Sequence, residues 1–172
     1  MHSILENSSQ VEFYTYLKPI FNSIHNKQME FNWLITDLEL NWIPEDFLDF
    51  MEQYKISDSH VDRNNIYWIT GKQLTAFTDK YERLQFIWGV LSGFNQSTTI
   101  DIHNLIEHPY ADGNPDFWVP GGVNLQHPQA ELEIVCWDCT STLLISKDQS
   151  IVNDFKNFFI DAKDLDEYNS EK

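Results

Sequence analysis

Glu131-Leu132-Glu133-Ile134-Val135-Cys136-Trp137 is followed, across Asp138-Cys139-Thr140-Ser141, by Thr142-Leu143-Leu144-Ile145-Ser146, and these two segments decide how the chain is read. The first alternates polar and apolar residues as a half-exposed strand does, and the second is its antiparallel partner across a short turn. Ser146 or Asp148 then caps a helix whose apolar positions Ile151, Val152, Phe155, Phe158 and Phe159 recur at helical spacing. A hairpin followed by an amphipathic helix predicts an α+β fold, with that helix laid on one face of an antiparallel sheet.

Working outward, residues 85–94 form a strand of large apolar residues, and Ile66-Tyr67-Trp68-Ile69-Thr70 forms another that Gly71 ends. Phe31, Trp33 and Ile35 alternate with Asn32, Leu34 and Thr36, and Thr36-Asp37 offers a turn into a second short strand. The expected sheet is mainly antiparallel and has about five strands, at 31–40, 66–70, 85–94, 131–137 and 142–146. It packs against N-terminal and C-terminal helices. The N-terminal helix is predicted over 10–26, from Val11, Phe13, Tyr14, Leu17, Phe21 and Ile24, with Ser8 or Ser9 as cap and a kink at Pro19. A second helix is predicted over 44–54, with Pro44 at its first position and Phe47, Leu48, Met51 and Tyr54 following. Leu74, Phe77 and Tyr81 suggest a short third one, and Ile100 to Ile106 fits either a strand or a helix. Between His108 and Pro128 four prolines and three glycines predict a loop, of a length that is often functional. The tail from Asp161 is charged and is expected to fray. With 172 residues, one domain over 1–172 is the natural reading.

Hydrophobic residues make up 42% of the chain, and six Trp and twelve Phe supply a packed interior. The formal charge of −16 makes direct binding to nucleic acid or to anionic lipid unfavourable. The start of the chain has no signal-like pattern, and the most apolar run, Phe86 to Phe94, is half a membrane span. Two cysteines cannot make a disulfide framework, so a cytoplasmic protein is expected. The acidity is concentrated. No Lys or Arg lies between Lys27 and Lys55, a stretch holding Glu30, Asp37, Glu39, Glu45, Asp46, Asp49 and Glu52. None lies between Arg83 and Lys147, where Asp101, Glu107, Asp112, Asp116, Glu131, Glu133 and Asp138 fall. Two such stretches meeting in space would make an unbalanced negative field that steers a basic partner, although acids on a solvated face serve solubility as well.

Several patterns touch on chemistry. Cys136-Trp137-Asp138-Cys139 has the spacing of a redox pair or of half a zinc site, but it lies at a strand end and in a turn, where a thioredoxin-like pair would open a helix. Zinc would need His103 and His108 as further ligands; the alternative is structural thiols. His103 and His108 miss the metalloprotease spacings, and neither a helix nor a strand turns both rings to one ion. Asp101 and His103 sit two residues apart, as an acid/base pair on one strand face would, or as ordinary surface residues. Gly71-Lys72 is not a phosphate loop, and Gly89 to Gly93 is not a nucleophile elbow. Phe117-Trp118-Val119 in the Pro/Gly-rich loop is either tucked onto the core or an interface anchor.

The hairpin at Glu131 to Ser146, the aromatic-rich helix after it and the acidic character of the chain together resemble small immunity proteins of bacterial polymorphic and contact-dependent toxin systems. The resemblance is one of general architecture. It implies a non-enzymatic, cytoplasmic, stoichiometric inhibitor of a basic, nuclease-like toxin, without a cofactor. On this reading the partner-binding residues are Asp37, Glu39, Glu45, Asp46, Asp49, Glu52, Asp112, Asp116 and Trp118. Two other readings stand beside it. One is a nucleic-acid mimic occupying the groove of a DNA- or RNA-binding enzyme, and the other a small metal-dependent hydrolase using Asp101, His103 and His108, with Cys136 and Cys139 as further metal candidates.

Overall fold

The computed structural model describes residues 2–56, 65–101 and 108–171. Strands β1 (His2–Glu6), β2 (Phe31–Leu40), β3 (Tyr67–Thr70), β4 (Phe86–Asn95), β5 (Leu132–Trp137), β6 (Ser141–Ser146) and β7 (Lys163–Asp164) form one antiparallel sheet in the order β3-β2-β4-β5-β6-β1-β7. Helices α1 (Leu17–Ser23), α2 (Phe47–Glu52), α3 (Gly71–Lys80), α4 (Gln149–Phe158) and α5 (Leu165–Ser170) complete the α+β fold. The five expected strands are present, and β1 and β7 are two more. β1 is inserted between β6 and β7, pairing His2 with Ile145 and Ser3 with Asp164.

Three expectations on the helices are corrected. The N-terminal helix covers only Leu17–Ser23, with a 3-10 turn at Lys27–Glu30 after it. Pro19 is its third residue, where the missing N–H costs nothing, and the ring bars continuation towards residue 15. Ser8 is no helix cap; its hydroxyl donates to Asp161 Oδ2 at 3.0 Å. The helix expected over 44–54 begins at Phe47 and ends at Glu52. The tail does not fray: β7 and α5 dock on β1, Leu165 is fully buried, and Asp164 caps α5 by accepting from the N–H groups of Asp166 and Glu167.

Local chemistry explains the elements that were foreseen. Thr70 and Gln73 form a capping box at the start of α3. Gly71, the first residue of that helix, passes so close to the 3-10 turn that a Cβ there would lie 2.0 Å from the Gln28 carbonyl oxygen. Asp138 and Cys139 both take left-handed φ, 46° and 57°, and Thr140 N–H closes on the Trp137 carbonyl at 2.9 Å, a type I′ turn. Thr36-Asp37 makes no second strand. Asp37 has φ 50° and marks a register shift inside one ten-residue strand.

The two faces of the sheet are covered differently. Trp33, Ile35, Leu91, Leu132, Ile134 and Leu144 meet α1 to α4 in one continuous core. The opposite face lies under the Pro/Gly-rich loop and α5, in two smaller clusters around Phe117 and Phe94. Apart from the 3-10 turn Pro115–Trp118 that loop has no regular structure, so its amides need acceptors elsewhere. Two sheet carboxylates supply them. Asp37 Oδ2 accepts from Ala111 N–H at 2.8 Å and Asp112 N–H at 2.9 Å. Glu133, fully buried, accepts from Gln126 N–H at 3.0 Å, His127 N–H at 3.1 Å and the Ser92 hydroxyl at 3.1 Å. Burial without a cation pushes the Glu133 carboxyl up to about 7, against the opposing pull of these hydrogen bonds.

Candidate functional site

Three of the six tryptophans, Trp88, Trp118 and Trp137, pack together near the end of the sheet where β2 finishes and β4 begins, and a fourth, Trp42, follows the end of β2. Strand direction puts them there. Trp88 is the third residue of β4 and stands opposite Glu39 of β2, Trp137 closes β5, and Trp42 follows two residues after the end of β2. Trp88 packs edge-on against Trp137 at 5.0 Å between ring centroids, and Trp118 packs on the other side of Trp137 at 4.8 Å. All three are half-buried, and Phe117 beneath them is fully buried. Trp42 and Ile43 protrude, 50% and 52% exposed, immediately ahead of Pro44-Glu45-Asp46. Glu39 is half-buried beside Trp88, and Asp138 is exposed in the turn after Trp137. Both carboxylates act on Cys139: its thiol is pushed up first by burial, then by Asp138 and Glu39.

No known protein family, curated protein or solved structure matches this chain. The residues themselves therefore carry the functional argument.

The nine residues expected at a partner surface divide by what holds them. Asp37 is committed to the loop amides described above. Asp46 pairs with Lys80 at 2.6 Å and accepts from the Tyr81 hydroxyl at 2.8 Å, which together hold its carboxyl below the usual range and tie α2 to α3. Glu52 lies 3.9 Å from Lys55. Glu45, Asp49, Asp112 and Asp116 are exposed. Trp118 is tucked onto Trp137 and Tyr168 and forms one wall of the aromatic cluster. The two cation-poor stretches do meet, since β2 pairs with β4 and Asp37 grips the loop at Ala111.

The metal candidates fare differently. His103 lies outside the described residues. His108 and Asp101 are exposed, Cys136 is fully buried in the helix-side core with its thiol pushed far up by burial, and Cys139 sits in the turn. Among the described residues no three His, Cys, Asp or Glu side chains are grouped to hold a metal ion, and no helix is long and apolar enough to cross a membrane. Trp42 and Ile43 were not singled out by sequence. The available signal was an apolar pair directly before a proline and two acids, Asn41-Trp42-Ile43-Pro44-Glu45-Asp46, in a stretch without a single cation.

Proposed function

We propose that this chain is a cytoplasmic, non-enzymatic binding protein whose acidic, tryptophan-bearing sheet end receives a basic protein domain, in the manner of an immunity protein held stoichiometrically on a nuclease-like toxin. The observation that carries the reading is the exposed Trp42-Ile43 pair, immediately ahead of Glu45 and Asp46 in the chain and just past the end of β2, the strand whose Glu39 stands opposite Trp88 of the tryptophan cluster. Tryptophan is among the residue types that most often anchor an interface, and surrounding acids accelerate encounter with a basic partner. Asp37 and Asp46 are occupied inside the fold and act there as scaffold.

The test is capture of partners from lysate of the source cells, with the tagged chain, a Trp42→Ala variant and a Glu45→Lys/Asp49→Lys variant compared at low and high salt. A basic protein retained near one-to-one by the parent is expected to be lost from Trp42→Ala. From the charge-reversal variant it is expected to be lost at low salt also. Equal retention by all three, or retention of no basic protein from cells that express the candidate toxin, overturns the reading.

A further inference from the structure

A groove of about 470 Å³ lies on the helix-covered side, between residues 10–22, residues 82–83 and the end of α4. That volume is within the range of small-ligand sites. Its polar lining divides into groups already engaged and groups that are not. The Gln10 side chain donates to the Phe158 carbonyl at 2.7 Å and accepts from the Ile160 N–H at 2.7 Å, which fixes one wall. Lys18 is held by Glu82 and, at 3.1 Å, by Asp79. Glu12 and Arg83, both exposed, make no side-chain hydrogen bond or ion pair among the described residues. They flank Tyr16, half-buried, whose hydroxyl feels both: burial and then Glu12 push its pKa up, and Arg83 draws it down.

The walls between these charges are apolar. Val11, Pro19 and Phe158 line the groove, Phe158 being 44% exposed. Phe13, 37% exposed, packs at a tilt against Tyr16 with ring centroids 5.1 Å apart, and Ile160, 79% exposed, stands beside the Gln10 wall. Large hydrophobic side chains left open around an opposite-charge pair call for an occupant with matching parts. A simple anion would satisfy Arg83 and face Glu12, and a simple cation would do the reverse. A ligand carrying both signs and an apolar body meets all three features.

We infer that the groove binds a short zwitterionic peptide of two or three residues, with its carboxylate on the Arg83 guanidinium, its ammonium at Glu12 and an apolar side chain against Tyr16 and Phe158. A guanidinium fork matches a carboxylate in two parallel hydrogen bonds, which gives the end-specific recognition that a lysine would lack. This site is independent of the acidic end of the sheet, so either can fail without the other.

The experiment is a heteronuclear NMR titration of the full chain with Leu-Phe dipeptide, its N-acetylated form and its C-terminal amide. Shifts confined to residues 10–22, 82–83 and 158–160 are expected, with each capped form binding about fivefold more weakly, as expected for the loss of one exposed ion pair. Arg83→Gln, an exposed position, should bind the free dipeptide and its amide equally while keeping the parent spectrum elsewhere. No shifts at about 10 mM peptide, capped forms that bind as tightly as the free dipeptide, or shifts centred elsewhere overturns the assignment.

Discussion

The helix-covered and loop-covered faces of the same sheet are built by opposite means. Among the described residues, 26 buried hydrophobic side chains form one cluster on the helix side, whereas the loop side holds nine and four in two clusters, with Ser92 and Glu133 between them. A helix satisfies its own amides and can lay down a bare apolar stripe. A loop brings amides that the sheet must answer, so polar and acidic side chains replace hydrophobic ones there. Part of the acidity of this protein is thus structural: Asp37 and Glu133 do for the loop what intrahelical carbonyls do for α1 to α4.

The largest blow to this contrast should come from the helix side. Phe155→Ala removes a fully buried ring from the continuous core and should cost about 3–5 kcal/mol in denaturant unfolding, with protection lost from both faces together. Next is acidity. The folded Glu133 carboxyl titrates near 7 against 4.5 in the unfolded chain, so between those values the folded state holds the extra proton. Stability from this group is complete below pH 4.5, falls as pH rises to 7 and is flat above, a loss of about 3 kcal/mol. Urea midpoints measured from pH 4.5 to 8 should show that slope, and Glu133→Gln should flatten it. Asp37→Ala leaves two loop amides without their acceptor and puts alanine at a left-handed φ, which should cost about 2–3 kcal/mol. Hydrogen exchange should then rise at Ala111 and Asp112 while α1 and α4 stay protected; uniform loss would erase the distinction between the faces. The smallest effect is a gain: Cys139→Gly relieves the left-handed turn residue and should stabilise by about 0.5–1 kcal/mol in the same unfolding assay.

Legibility in the sequence followed the distance between interacting parts. The hairpin β5-β6 and helix α4 were readable because strand alternation, turn and helical spacing all fall within a span of residues 131–159. β1 was not, since its five residues become a strand only beside β6, and β7 is too short to leave a pattern. The apolar residues at 10–16 imitate a helix, yet Tyr14 and Val11 pack against the core as irregular chain because Pro19 stops α1 from extending towards them. At the candidate site the charge was visible and its division of labour was not. Asp37 and Asp46 look no different from Glu45 and Asp49 in sequence; only the loop amides and Lys80 that fold against them decide which acids are spent internally. Trp42 was missed because an exposed aromatic in irregular chain between a strand and a helix has no periodicity to betray it.

The place of β1 in the sheet also sets a timetable for synthesis. On one side it pairs with Ser141–Ile145 and on the other with Lys163 and Asp164, so both neighbours leave the ribosome long after it does. At a translation rate of about 5–20 residues per second the strand waits on the order of ten seconds with both edges unpaired. During that interval Ile4 and Leu5, each fully buried in the finished sheet, face solvent or a chaperone. Ordering the sheet's far side is therefore a late event in the life of each molecule, completed only when the segment that follows α4 is free to close over a strand made well before it.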